Sequence, residues 1–148
     1  MVRIRPLQGS DEAVWRDMWR LYCEFYGVMV ADNVTDATWE RLLDEENRSL
    51  YTLIAEDEDG GVVGFTNCVI HPGTWSDRDH CYLEDLYVYP QVRSGGAGRA
   101  LIEAVVEKSR QAGLGKVYWH TDHFNSIARA LYDKMATVDT KVKYQINL

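Results

Sequence analysis

Seven residues, Arg93-Ser94-Gly95-Gly96-Ala97-Gly98-Arg99, constrain this chain more than any other stretch. Before them runs Cys81 to Tyr89, a β-rich segment closed by Pro90. After them Leu101, Ile102, Val105 and Val106 recur at helical spacing, and Gly113 ends the run. The pattern predicts a strand, a glycine-rich turn and a helix. N–H groups at a helix start lack intrahelical acceptors, and the helix dipole adds positive potential there. Glycines let an anion approach that backbone closely. Arg93 and Arg99 flank the turn and can add charge-assisted bonds. The loop therefore suits a pyrophosphate, although a plain tight turn would use the same glycines. Neither common nucleotide fingerprint fits: GxxxxGK[ST] is absent, and the third glycine of GxGxxG would fall on Leu101.

The other elements follow from periodicity. Val2 to Arg5 reads as a first strand ended by Pro6. Ser10 or Asp11 caps a helix in which Trp15, Trp19, Tyr22 and Tyr26 share one face, and Gly27 stops it. That aromatic face reads as core or as pocket wall, with Tyr26 the pocket candidate. A second helix is expected over 35–46, with Trp39, Leu42 and Leu43 inward. Leu50 to Glu56 and Val62 to Ile70 form a hairpin about Asp57-Glu58-Asp59-Gly60-Gly61. His71 to Asp79 is a polar loop carrying Trp75, which is placed beside the acceptor pocket. Beyond the glycine loop and its helix come a strand over 117–121, a helix over 125–135 and a last strand over 141–147. The fold class is α/β (α+β), one domain over residues 1–148 with a mixed, mostly antiparallel sheet flanked by helices.

Charge and composition narrow the function. The net charge is −7, from 23 acidic and 16 basic side chains, so a nucleic-acid partner is not expected. No run approaches the ~20 apolar residues of a membrane span, and the first residues lack an apolar leader, so a cytoplasmic protein is expected. Cys23, Cys68 and Cys81 make no CxxC pair and no even disulfide set, and they read as reduced thiols. His71, His80, His120 and His123 show neither HxH nor HExxH spacing, and no metal is expected.

A second motif lies downstream of the glycine loop. Arg93-x-x-Gly96-x-Gly98 fits the [QR]xxGx[GA] loop, and Asn125-x-x-Ala128-x-x-x-Tyr132 fits the NxxAxxxY helix, of the GNAT N-acetyltransferase superfamily, which the stretch from Cys81 to Lys134 resembles. The run Leu83-Glu84-Asp85-Leu86-Tyr87-Val88 is most similar to the polyamine, yeast-type histone and D-amino-acid branch. One departure stands out: Met135-Ala136-Thr137 replaces the Gly-Phe turn usual after the tyrosine helix.

The resemblance implies the GNAT fold, acetyl-CoA as cosubstrate, and direct acetyl transfer to an amine in a ternary complex. Leu86, Tyr87 and Val88 would offer backbone groups to the acetyl and pantetheine arm. Arg93, Ser94, Gly95, Gly96, Ala97, Gly98 and Arg99 would wrap the pyrophosphate. Asn125 would bond the pantetheine arm, cap its helix, or do both. Tyr132 would be the general acid or hydrogen-bond donor to the leaving thiolate. A phenol near ~10 protonating a thiolate near ~8.5 is uphill by roughly 2 kcal/mol, so full transfer needs a lowered phenol pKa. Glu84 would be the base. A carboxylate near ~4.3 faces roughly 8 kcal/mol against an ammonium near ~10.4, so it accepts the proton as the nitrogen bonds carbon. Glu84, Asp85, Trp75 and Tyr26 are the acceptor-binding candidates. Asp85 points to the opposite sheet face from Glu84 in a regular strand, and a bulge changes that. The expected acceptor is a small cationic amine. A peptide or histone-like substrate, or a non-catalytic CoA-binding module, would share the motifs. A homodimer is expected from family tendency and the aromatic-rich helices.

Overall fold

The alternating runs assemble into one five-stranded sheet in the computed structural model, which describes residues 1–148. The strands are β1 (Arg3–Pro6), β2 (Leu50–Glu56), β3 (Val62–His71), β4 (His80–Val88) and β5 (Lys116–Tyr118), in the spatial order β1-β2-β3-β4-β5. The first four pair antiparallel, and β5 pairs parallel to β4. The sheet is mixed and mostly antiparallel, as the sequence predicts. The hairpin turn forms at the aspartate: Asp57 Oδ1 accepts from the N–H groups of Asp59 and Gly61.

Helices cover both faces. On one lie α1 (Glu12–Tyr26) and α2 (Asp32–Leu43). Trp15, Met18 and Trp39 bury there against Ile54, Phe65 and Tyr87. The Trp15 ring stacks on Trp19 and meets Trp39 at 5.4 Å, so most of the aromatic face is core. Gly27, in the left-handed region at φ 64°, ends α1 as expected. Arg5 on β1 grips Asp11 at the start of α1 through two 2.8 Å bonds and also reaches Glu56 on β2, clamping that helix to the sheet.

On the other face lies α3 (Ala97–Gln111), with α4 (Ser126–Tyr132) beside it. Leu101, Ile102 and Val105 pack on Leu53, Cys68, Cys81, Leu83 and Val88, and Leu131 joins them from α4.

Four expectations are corrected. The second helix starts and stops three residues early, at Asp32–Leu43. Asp44, Glu45 and Glu46 would place three carboxylates against the negative end of the helix dipole, and Leu43 is exposed rather than inward. The strand expected over 117–121 ends at Tyr118. The last strand, over 141–147, does not form. Val142, Tyr144, Ile146 and Leu148 alternate as a strand should, yet all stand exposed and unpaired. Alternation alone does not hold a strand, which needs a ladder partner and a buried face. The helix expected over 125–135 ends at Tyr132, and Met135 and Ala136 add one turn, both bonding the Tyr132 carbonyl, instead of folding the chain back onto the outer edge of β5.

Candidate active site

The site begins where β4 and β5 part. They pair only at His80–Tyr82 and Lys116–Tyr118, after which β5 ends and β4 continues for six residues. Tyr82 and Tyr118 stack at the fork, 4.9 Å between ring centroids. His71 braces Tyr118: its Nδ1–H donates to the Pro72 carbonyl at 2.7 Å, so its Nε2 accepts from the Tyr118 hydroxyl at 2.6 Å. Beyond the fork, Leu86, Tyr87 and Val88 have a strand neighbour on one side only. The side chains of Tyr87 and Val88 are buried in the two opposite cores, so what this stretch offers a ligand is its backbone. Gly64 on β3 supports it from the other edge: a Cβ there would lie 2.6 Å from the Tyr87 carbonyl oxygen.

At the end of β4 the chain turns through a 3₁₀ segment, Pro90–Gly95, into α3. Gly96 caps that helix at φ 80°, a conformation that favours glycine. The first intrahelical bond runs from the Ala100 N–H to the Gly96 carbonyl, and no side chain caps the turn. The N–H groups of Ala97, Gly98 and Arg99 are thus those the helix leaves for an outside acceptor. A Cβ at Gly95 or Gly96 would meet nothing within 4 Å, so an anion has room at that backbone. These residues fit a pyrophosphate. Gly98 serves packing as well, since a Cβ there would lie 3.8 Å from Leu131 on α4.

The two arginines do different jobs. Arg93 Nε donates to the Val88 carbonyl at 3.0 Å, and its guanidinium sits 5.9 Å from the Phe25 ring centre. Arg99 leans along α3 toward Glu103 and lines a groove of about 730 Å³ between α3, β5 and the end of α4. Val117 and Trp119, on either side of Tyr118, line it too, so that groove adjoins the fork on the α3 face of the sheet.

The carboxylate pair departs from a regular strand. Asn67 pairs with Asp85 and Cys68 with Leu83, so Glu84 is the extra residue of a β-bulge. Glu84 is exposed, whereas Asp85 is buried on the α1 face of the sheet. The bulge turns Asp85 onto the face carrying Tyr22 and Tyr26, which a regular strand would not do. There Asn67 Nδ2 donates to Asp85 Oδ2 at 3.0 Å. Burial pushes the Asp85 carboxyl up to about 6, against the lowering effect of bonds from Asn67 and Tyr22.

The acid candidate stands opposite. Asn125 caps α4, its Oδ1 accepting from the Ala128 N–H at 3.4 Å and its Nδ2 donating to Thr121 Oγ1. Tyr132 lies one helix length on, edge-to-face with Trp119 at 5.5 Å. Burial, with the Tyr26 phenol nearby, pushes its hydroxyl up to about 12. The Tyr26 phenol is raised by burial, then by Asp122 and Asp85, and is lowered by Arg93. Tyr26, Asp85, Arg93 and Tyr132 thus share one electrostatic neighbourhood.

Trp75 stands in the loop before β4. It is 93% exposed, and its loop neighbours Ser76 and Arg78 pack near Gly115, at the start of β4. From His80 to Leu86 the strand covers roughly 20 Å, so the loop carrying Trp75 lies at the far end of β4 from the backbone of Leu86, Tyr87 and Val88. Tyr22, Asn67, Gly64 and Tyr82 belong to the neighbourhood and were not singled out as site residues in the sequence. Only strand register brings them there.

The chain matches the family model described as "Acetyltransferase (GNAT) family" over residues 15–136. It is 33% identical to the D-amino-acid N-acetyltransferase HPA3 of Saccharomyces cerevisiae over 144 residues, 97% of this chain and 89% of that protein. It is 28% identical to the aminoglycoside N(6')-acetyltransferase type 1 of Klebsiella aerogenes, over 87% of this chain and 84% of that one. Its fold superposes with a TM-score of 0.83 on AAC(6')-Iy, solved with the bisubstrate analogue CoA-S-monomethyl-acetylneamine, at 21% identity over 100% of this chain and 99% of that one.

Proposed function

The chain belongs to the acetyltransferase (GNAT) family and is an N-acetyltransferase, and from that premise we propose that its acceptor is a small cationic primary amine, a polyamine or a basic amino acid. The observation that carries this reading is the bulge, which sets two consecutive carboxylates, Glu84 and Asp85, beside the open edge of β4. The amine attacks the acetyl thioester directly, with both substrates bound. The family uses acetyl-CoA, which supplies the activated acetyl group.

The chain's residues divide the work. The loop from Arg93 to Arg99 wraps the pyrophosphate, with the N–H groups of Ala97, Gly98 and Arg99 free to bond it. The backbone of Leu86, Tyr87 and Val88 holds the pantetheine arm and polarises the carbonyl that is attacked; such a donor is typically worth about 10²–10³ in rate. Asn125 orders the start of α4 and faces the same arm. Glu84 and Asp85 draw in the ammonium, and Glu84, open to solvent, takes its proton through water as the nitrogen bonds carbon. Tyr26 forms the aromatic wall between Asp85 and Tyr132. With its hydroxyl pushed up to about 12, Tyr132 stays protonated across the working pH range. Passing that proton to a thiolate near ~8.5 is uphill by roughly 5 kcal/mol, so Tyr132 acts by donating a hydrogen bond. The same reading includes a cytoplasmic setting, which suits the unpaired thiols, and a homodimer, for which the exposed apolar side chains beyond Thr137 offer contact area.

The test is a panel of amines assayed for thiol release from acetyl-CoA. Polyamines and basic amino acids are expected to lead it. A panel led by neutral arylamines would overturn the acceptor assignment. Light scattering that finds only monomer at micromolar concentration would remove the dimer.

A further inference from the structure

Thr52, Asn67 and Asp85 stand on three adjacent strands, β2, β3 and β4, and are 3%, 6% and 9% exposed. They form a directed chain of hydrogen bonds. The Thr52 hydroxyl bonds Asn67 Oδ1 at 2.6 Å, and Asn67 Nδ2 bonds Asp85 Oδ2 at 3.0 Å. Thr52 sets the direction of the amide. Turned over, the amide would present its oxygen to a carboxylate oxygen, which only repels. Thr66 fixes the backbone at the same place, its hydroxyl donating to the Asp85 carbonyl at 2.8 Å.

We propose that Thr52 and Asn67 are positioning residues for the acceptor: they hold the Asp85 carboxylate in the orientation in which it receives the amine's ammonium group. This rests on the reading that Glu84 and Asp85 bind a cationic amine. A sheet of this kind has no packing need for a buried carboxyl. Apolar side chains would fill the space without the cost of burying charge. The groups facing Asp85 are Glu84 and Tyr82 on β4 and Tyr22, Cys23 and Tyr26 on α1; Arg93, the cation that acts on Tyr26, is tied to the Val88 carbonyl and makes no bond to Asp85. An ammonium is the complementary partner for a carboxylate in such surroundings. The Asn67 amide bond favours the ionised carboxylate, which is the form that binds a cation. Burial alone would drive the group toward its neutral form, and the Thr52–Asn67 chain opposes that drift.

The experiment compares wild type with Asn67→Leu, Thr52→Val and Thr52→Ser. Two readouts are taken. One is a carboxyl ¹³C NMR titration of Asp85, assigned by its loss in Asp85→Asn. The other is the pH dependence of kcat/KM for 1,4-diaminobutane and for the best amine of the panel. In Asn67→Leu the Asp85 titration is expected to move up by about one pH unit, the worth of one lost bond to a charged group. The acid limb of kcat/KM for the amine moves with it, while KM for acetyl-CoA stays within about twofold. Thr52→Val shifts both in the same direction and less, and Thr52→Ser restores wild type. If Asn67→Leu does not fold, the Thr52 pair decides alone. A titration or an acid limb that ignores these substitutions, in an enzyme active on amines, sinks the positioning role by itself. A wild type that turns over no cationic amine overturns the acceptor reading, and the positioning role falls with it.

Discussion

Arg93 Nε donates to the carbonyl of Val88 across 3.0 Å, and this bond ties the glycine turn to the end of β4. The open stretch of β4 proposed for the acetyl arm and the helix start proposed for the pyrophosphate are thereby held as one unit. Losing the tie should loosen both ends of the cosubstrate site at once. Arg93→Ala is expected to raise KM for acetyl-CoA about tenfold, the worth of one charged hydrogen bond, with a smaller effect on KM for the amine. Steady-state kinetics with each substrate varied in turn will show this; a raised amine KM with an unchanged acetyl-CoA KM would assign Arg93 to the other substrate.

Gly96 tests the anion site itself. Its φ of 80° penalises a side chain, but asparagine and aspartate tolerate that region better than most residues, and a Cβ there has open space. Gly96→Asp should therefore fold while placing a carboxylate where the pyrophosphate charge belongs. Acetyl-CoA affinity is expected to fall about tenfold or more, measured by calorimetry on a variant whose circular dichroism matches wild type. Unchanged affinity would move the phosphates elsewhere.

Tyr132 should matter for turnover and not for binding. Tyr132→Phe keeps the ring against Trp119 and removes only the hydroxyl. A kcat lower by about 10²-fold, with KM for acetyl-CoA nearly unchanged, is expected. Because the hydroxyl is pushed up to about 12, the wild-type profile should show no alkaline loss from this group below about pH 10. Wild-type kcat in the phenylalanine variant would remove Tyr132 from the mechanism.

Asp85 makes an opposite forecast for stability. Its carboxyl is raised to about 6 when folded, above an ordinary unfolded value near ~3.9. The folded protein then binds the extra proton, so this contribution is full below about pH 4 and is lost as pH rises through 6. Above that the ionised carboxyl costs the fold about 3 kcal/mol. Asp85→Asn is expected to melt roughly 5–10 °C above wild type at pH 8, with the gain disappearing near pH 4. The same variant should lose amine turnover, a trade of stability for function. A variant less stable than wild type at pH 8 would show that the buried carboxylate is not under strain.

The legible and illegible parts of this chain divide along physical lines. The glycine turn and the Asn125–Tyr132 helix are local patterns, and each occupies the place its spacing implies. What depends on partners far along the chain was harder to read. Alternation along β4 puts Glu84 and Asp85 on opposite faces, and only the Asn67–Asp85 and Cys68–Leu83 pairing reveals the extra residue. The Thr52–Asn67 bond joins two strands whose sequences carry no mark of it. A loop's composition does not say which end of a strand it serves, so Trp75 is placed by the fold and not by its sequence. The last strand does not form because the alternation of Val142, Tyr144 and Ile146 records a capacity for pairing without naming a partner.

The choice of acceptor gives the final forecast. The net charge of −7 biases the surrounding field toward cations, though only over about a Debye length. On the proposed cationic-amine reading, specific selection falls to Glu84 at the bulge and Asp85 behind it. An ammonium 4 Å from a carboxylate gains about 4 kcal/mol at an effective dielectric near 20, before desolvation is counted. The same attraction holds the amine in its charged, unreactive form. Turnover should therefore rise toward alkaline pH, as the fraction of neutral amine grows. Glu84→Gln should raise KM for cationic amines about tenfold and lower kcat, with little change for a neutral arylamine. Because Glu84 is exposed, its substitution should leave the melting temperature near wild type, which separates a binding effect from a folding one. A Glu84→Gln enzyme that keeps wild-type kinetics on every cationic amine would take both the attraction and the proton transfer away from Glu84.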